Sequence, residues 1–170
     1  MEDIKFIFQR EKAIEVVLYL ARRAIEPDFH SINKILYIAD KLSLEKYGRF
    51  ICGDDYRAMR WGPVPTNTYD LMKYGTGQNA PFKTEEYFVI PLRDADLDQL
   101  SESDIECLDA GLAQIGNASF SERHRKTADA AYRKAWEQRG NSQSVPISIE
   151  DIAQQLEHSD ELIHYLSNRG

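Results

Sequence analysis

The chain has 170 residues, of which 42% are hydrophobic and 11% aromatic, and its formal net charge at pH 7 is −7. This composition favours one folded domain and argues against a disordered chain. The acidic balance disfavours general binding to nucleic acid, which needs clustered lysine and arginine, and is compatible with either a basic protein partner or simple solubility.

Two amphipathic helices are predicted near the N-terminus. Apolar residues recur at helical spacing over 11–25, and Pro27 ends this helix. A second helix is predicted over 32–46, with Ser31 as its N-cap and Gly48 as the residue that ends it.

The next segment has a different pattern. Residues 49–64 hold β-forming residues interrupted by Gly53 and the acidic pair Asp54-Asp55, which predicts a short strand or an irregular turn. The stretch 60–70 (RWGPVPTNTYD) combines two prolines that fix φ with a glycine that permits unusual backbone conformations. It is therefore predicted to be a rigid lead into a helix over 66–74, with Pro65 at the first helical position.

The rest of the chain is predominantly helical. It begins with a loop over 75–81 and an edge strand over 87–92. Three later helices are predicted from their cap signals: the first begins at Ser101 or Ser103, the second at Ser119 and the third at Ser148. A helical segment over 128–136 is predicted to follow the second after a bend, and a last helix is predicted over 160–168. The expected fold is mostly α (α+β). It is one compact helical domain over 1–170, with a small β-hairpin or short sheet inserted between the N-terminal and C-terminal helices.

Motifs for catalysis, metal binding or phosphate binding are not evident. The histidines do not form HExxH, the cysteines do not form CxxC, and neither GxSxG nor a P-loop occurs. We therefore expect no catalytic residue, no metal and no cofactor, with an enzyme on an unrecognised site as the alternative. The absence of a long apolar run or a signal-peptide core predicts a cytoplasmic protein without a membrane partner, in which Cys52 and Cys107 are reduced and buried.

One basic cluster is a candidate for nucleic-acid contact. Arg123, Arg125 and Lys126 lie on one predicted helix, with Lys134 nearby. The alternative is a solvated helix face whose cations pair with acidic residues of the same chain. Because acidic residues outnumber basic ones in the whole chain, nucleic acid is the less favoured partner.

A set of short motifs resembles the Panacea antitoxin domain family, which includes SocA-like antitoxins and phage-associated proteins. The motifs are Lys34-Ile35-Leu36-Tyr37-Ile38-Ala39-Asp40, Tyr47-Gly48, Ile51-x-Gly53-Asp54-x-Tyr56-x-Ala58, Gly62-Pro63-Val64 and Tyr69, with Leu100-Ser101, His124 and Ala135-Trp136 in the second half. The resemblance covers about residues 10–155 and leaves a C-terminal helix over 156–170. One departure is Arg123-His124-Arg125, where the family usually places Thr or Ser beside the histidine.

The resemblance implies a non-enzymatic antitoxin of a type II-like toxin–antitoxin system, with a role in phage defence. Such a protein neutralises a cognate protein toxin by direct binding, and the toxins include alarmone-synthetase-like enzymes. The alternatives are a proteolytic adaptor that delivers the toxin to a protease, and a nucleic-acid-binding regulator. The residues that the resemblance marks as the fold signature are Asp40, Gly53, Gly62, Pro63, Val64, Tyr69, His124 and Trp136.

Binding residues are expected on loops, because loops held by a rigid scaffold commonly carry recognition. The segments 53–63 and 75–86 are favoured, and the candidate partner-binding residues are Asp54, Asp55, Arg60, Trp61, Glu85 and Glu86. Changes at Gly62 or Trp61 are expected to destabilise the fold. Changes at Glu85 or Glu86 are expected to alter toxin binding without unfolding the domain.

Overall fold

Helices make up most of the fold, and two small antiparallel sheets connect the N-terminal helices to the C-terminal ones. The computed structural model describes residues 3–169, so the outermost residues of the predicted 1–170 domain and 156–170 segment lie outside it. The helices are α1 (Arg10–Arg23), α2 (Phe29–Tyr47), α3 (Thr66–Tyr74), α4 (Glu102–Ile115), α5 (Phe120–Thr127), α6 (Ala130–Glu137), α7 (Ile149–Gln154) and α8 (Ser159–Ser167). The strands are β1 (Tyr56–Met59), β2 (Gly62–Pro65), β3 (Phe82–Glu85), β4 (Phe88–Pro91) and β5 (Val145–Pro146). The predicted mostly α (α+β) class is confirmed.

Helix α2 lies at the centre of the fold and packs against α4, α5 and strand β2. It begins three residues earlier than predicted, because the side chain of Asp28, and not that of Ser31, caps it by accepting a hydrogen bond from the Ser31 backbone N–H at 2.7 Å. The prediction that Gly48 ends the helix is confirmed, since Gly48 has φ +72° and its N–H donates to the Leu44 carbonyl. None of the helices within residues 3–169 is long and apolar enough to cross a membrane.

Strands β1 and β2 form a hairpin, which confirms the small β-hairpin or short sheet expected between the helices, in a segment for which a short strand or an irregular turn was predicted. Met59 pairs with Gly62, so the connecting turn is the dipeptide Arg60-Trp61. Strand β5 adds to the other side of β1, which gives the order β2-β1-β5. The prolines of β2 are tolerated because β2 is an edge strand of this sheet.

Strands β3 and β4 form a second hairpin, which is joined to the start of α2 through the backbone. The Phe29 N–H donates to the Tyr87 carbonyl at 3.0 Å, and the Val89 N–H donates to the Pro27 carbonyl at 2.9 Å. The predicted strand over 87–92 is confirmed as β4. Its partner β3 lies entirely within the segment 75–86, which was predicted to be a binding loop, so the loop prediction is wrong over this strand.

The C-terminal helices begin at the predicted caps. Ser101 caps α4, and the Asp104 side chain reciprocates by accepting from the Ser101 backbone N–H at 2.9 Å, which decides against Ser103. Ser119 and Ser148 cap α5 and α7 as predicted. The predicted bend before the 128–136 segment is also confirmed, because α6 starts anew at Ala130 with Asp129 as its cap.

Candidate functional site

A groove of about 670 Å³ opens where the start of α2 meets the tips of both hairpins and the start of α5. Its mouth carries four aromatic side chains that are accessible to solvent: Trp61 (48% exposed), Tyr87 (70%), Phe88 (41%) and Phe120 (43%). Its base is formed by buried residues that include Phe29, Asn33, Lys34 and Val64. Exposed aromatic side chains grouped around a concave, apolar surface are typical of a binding site.

The β1–β2 turn at one side of this groove is fixed through its backbone. The Tyr132 hydroxyl on α6 donates to the Met59 carbonyl at 2.6 Å and reaches the Arg60 carbonyl at 3.2 Å. With these carbonyls held from inside the fold, the Arg60 and Trp61 side chains project outward, and the Arg60 guanidinium lies 4.7 Å from the Trp61 ring centroid. The turn therefore presents a cation–aromatic pair from a rigid backbone.

His30 holds the same turn from α2. The Arg123 Nε–H donates to His30 Nδ1 at 3.1 Å, so Nε2 carries the ring proton and donates to the Trp61 carbonyl at 3.2 Å. Burial, together with the positive charges of Lys34 and Arg123, lowers the pKa of His30 to about 3, which keeps the ring neutral at pH 7. The ring also stacks on Phe120 with a centroid distance of 3.9 Å, and this contact sets the position of Phe120 at the mouth.

Lys34 lies beneath the turn and is almost completely buried, at 1% exposure. Its Nζ donates to the Pro63 carbonyl at 2.8 Å. Burial and the charge of Arg123 lower the pKa of Lys34 to about 7. Gly62 has φ +123°, and a Cβ at this position would lie 2.6 Å from Lys34 Cε, so the close approach of the hairpin to the lysine requires glycine.

The other side of the groove is formed by aromatic residues around the β3–β4 turn. The Phe29 ring packs edge-on against Tyr69 and Tyr87, with centroid distances of 5.8 and 6.2 Å. Glu85 and Glu86 are exposed next to Tyr87 at the tip of this hairpin. Of the two predicted binding segments, 53–63 contributes lining residues to the groove, whereas 75–86 contributes none and ends just before the lining residue Tyr87, so Glu85 and Glu86 lie outside the lining.

An aromatic row connects the groove to the C-terminal helices. His124 lies 6.0 Å from Trp61 and 6.1 Å from Tyr132, and Tyr132 stacks on Trp136 at 6.3 Å, all measured between ring centroids. Tyr132 lies between His124 and Trp136 and contacts both rings. These contacts connect the Trp61 turn to α5, which carries His124, and to α6, which carries Tyr132 and Trp136.

A protein-family model described as antitoxin SocA-like, Panacea domain matches residues 32–137. The chain belongs to this Panacea domain family. The matched segment lies inside the predicted 10–155 resemblance and contains both hairpins, helices α3 to α6 and all of α2 except its first three residues. Comparison with curated proteins and with solved structures finds no match.

Two of the signature residues of this Panacea domain are explained by close packing inside the fold. Asp40 on α2 is buried and accepts hydrogen bonds from the Ile51 N–H and the Tyr56 hydroxyl, both at 2.7 Å. Burial raises the pKa of Asp40 to about 7. Gly53 has φ +70°, and a Cβ there would lie 2.2 Å from the Ile7 carbonyl oxygen, so this position also requires glycine.

Asp54 occupies a different place from the one predicted for a partner-binding residue. It is only 1% exposed, and its carboxylate accepts from the backbone N–H groups of Asn67 and Thr68, each at 2.9 Å. It therefore caps the start of α3 from a distance in sequence, and the expectation of a surface contact is corrected. Pro65 is correspondingly the N-cap residue of α3 and not its first helical residue. Asp55 is exposed but does not line the groove.

The predicted basic cluster on α5 does not form a four-cation surface. Arg123 is 2% exposed and donates to the Ala118 carbonyl at 3.0 Å, and Lys134 pairs with Asp151 at 2.9 Å. Arg125 and Lys126 remain exposed. Two of the four cations are thus engaged within the chain, which favours the alternative of intramolecular pairing over a nucleic-acid surface.

Sequence reasoning missed several residues of the groove, which are His30, Lys34, Tyr87, Phe88 and Phe120. One signal was present for the hairpin: Tyr87 and Phe88 are adjacent in an edge strand, and successive strand side chains face opposite sides. One of the two aromatic rings is therefore expected to face away from the core.

Proposed function

We propose that this Panacea domain neutralises a cognate protein toxin in the cytoplasm by direct, non-enzymatic binding, and that the toxin docks in the aromatic groove. The observation that carries the proposal is the convergence of Trp61, Tyr87 and Phe120 around one concave surface. Tryptophan, tyrosine and arginine supply most of the binding energy at protein interfaces, and Arg60 and Trp61 stand together on one turn.

The rigidity of the turn supports the same role. Its carbonyls at Met59, Trp61 and Pro63 are held by side chains from α2 and α6. A surface that is already ordered loses less conformational freedom on binding, so more of the contact energy appears as affinity. Glu85 and Glu86 stay predicted contacts at the edge of the same surface. That the toxin is an alarmone-synthetase-like enzyme also stays a prediction.

Co-expression with the product of the adjacent gene tests the proposal. The neighbour alone should arrest growth, and the Panacea protein should restore growth and co-purify with it. Trp61→Ala should abolish rescue while the variant stays folded by circular dichroism. Leu97→Ala is the matched control, because Leu97 has similar exposure (50%) and lies outside the groove. A neighbour that is harmless alone, or full rescue by Trp61→Ala, would contradict the proposal.

Toxin half-life separates blocking from delivery to a protease. If binding alone neutralises, the toxin should persist at an unchanged half-life in cells that the Panacea protein rescues. A toxin that disappears faster only when the Panacea protein is present would identify the adaptor mechanism.

A further inference from the structure

The lining of the groove is cationic although the chain as a whole is acidic. Lys34 and Arg60 both line it, and among the described lining residues the single carboxylate belongs to Asp28. That carboxylate is already engaged, because it accepts from the Ser31 N–H at 2.7 Å and lies 3.6 Å from the Arg123 guanidinium. A basic side chain entering the groove would therefore meet the Arg60 cation and the partly protonated Lys34, and no free acid among the lining residues.

Polar groups of the lining also have unused hydrogen-bonding capacity. Lys34 Nζ uses one of its three N–H groups, on the Pro63 carbonyl. The Arg60 guanidinium lies on the Trp61 ring and makes no ion pair with a residue of the 3–169 segment. Donor groups that the fold leaves unpaired are suited to an acceptor of an external partner, such as a carboxylate.

We propose that the groove receives an acidic segment of the toxin. In this segment a large apolar side chain packs among Trp61, Tyr87 and Phe120, and a neighbouring carboxylate pairs with Arg60. The inference rests on the proposed function and specifies which part of the toxin is bound. It differs from the expectation given by the net charge of −7, which favours a basic partner at long range. Within the groove, this chain supplies the positive charge and the toxin supplies the negative charge.

Selection from a random 12-residue peptide library displayed on phage tests the chemistry without knowledge of the toxin. The full chain is the bait, and Arg60→Glu is compared with Arg133→Glu, which makes the same charge change at an exposed arginine outside the groove. Wild type and Arg133→Glu should enrich peptides in which Phe, Leu or Trp lies next to Asp or Glu. Arg60→Glu should lose this enrichment.

A double-mutant cycle, in which each of the two charges is neutralised, then tests the proposed ion pair. Changing the acidic residue of an enriched peptide to its amide should weaken binding to wild type by about tenfold and leave binding to Arg60→Gln nearly unchanged. Enrichment of basic or uncharged peptides, no enrichment at all, or an equal effect of the amide on both proteins would overturn the inference. If such a result accompanies loss of toxin rescue in Trp61→Ala, the inference fails and the proposed function stands. If the product of the adjacent gene does not arrest growth when it is expressed alone, the proposed function itself is contradicted.

Discussion

Replacing Gly62 by alanine tests how closely the hairpin turn approaches α2. Gly62 has φ +123°, where residues with a Cβ are strained, and the new Cβ would lie 2.6 Å from Cε and 3.2 Å from Nζ of Lys34. Lys34 is 1% exposed and its Nζ donates to the Pro63 carbonyl, so it has little room to move aside without losing that hydrogen bond. Alanine therefore adds backbone strain and disrupts a buried contact.

The expected loss of unfolding free energy follows from these two effects. Backbone strain at a positive φ costs about 1–3 kcal/mol, and loss of a buried hydrogen bond from a lysine amine costs about 1–3 kcal/mol. Together they predict that Gly62→Ala loses about 2–6 kcal/mol. With an m-value near 2 kcal/mol/M, the urea midpoint, followed by far-UV circular dichroism, should fall by about 1–3 M.

Gly75→Ala is the matched control, because Gly75 has φ +78° but nothing lies within 4 Å of the added Cβ. It should lose only the strain contribution, about 1–3 kcal/mol. In a Lys34→Ala background, Gly62→Ala should cost no more than this control, since the clashing atoms are gone. Equal losses for Gly62→Ala and Gly75→Ala in the wild-type background would refute the argument that the lysine contact requires glycine.

Three further predictions concern stability. Trp61→Ala should lower the unfolding free energy by about 1–3 kcal/mol, because the ring is 48% exposed and only its buried half loses contacts, so the variant should stay folded; a larger loss measured in urea would contradict this. Asp54→Ala should lower the unfolding free energy by about 2–4 kcal/mol, because two backbone N–H groups at the start of α3 lose their acceptor. A urea midpoint equal to that of wild type would contradict this and would show that water replaces the carboxylate as the acceptor. Burial raises the pKa of Asp40 from 3.8 to about 7, so between these values the folded protein keeps a proton that the unfolded chain has released. Stability contributed by this group therefore falls as pH rises through that window, by about 4 kcal/mol at most. Asp40→Asn should flatten this slope in urea titrations at the two ends of the window, and a slope equal to that of wild type would contradict the assignment.

The helical framework could be predicted because its signals are local. Apolar spacing and cap residues identify each helix, and the Ser101–Asp104 pair satisfies backbone donors at both ends of one motif. The start of α2 was misplaced because Asp28 and Ser31 are both good caps. In the fold Asp28 makes the cap, and the Phe29 N–H next to it donates to the Tyr87 carbonyl, a tertiary bond that sequence alone does not reveal.

The site was only partly predictable, since it is assembled from segments that are far apart in the sequence. Arg60 and Trp61 were identified because prolines and a glycine mark their turn. Tyr87 and Phe120 reach the same groove through backbone pairing and through stacking on His30, both of which depend on the folded arrangement. Asp54 was misjudged because an acidic pair after a glycine is typical of an exposed turn. Its actual donors lie 13 and 14 positions further along the chain.

The affinity for the toxin encoded by the adjacent gene tests the central claim most directly. Isothermal titration calorimetry should compare Tyr87→Ala with Tyr74→Ala, because the two tyrosines are similarly exposed (70% and 74%) and only Tyr87 lines the groove. The groove account predicts that Tyr87→Ala raises Kd by at least about tenfold, whereas Tyr74→Ala changes it by less than about twofold. Equal affinities for both variants, or a larger loss in Tyr74→Ala, would contradict docking in the groove.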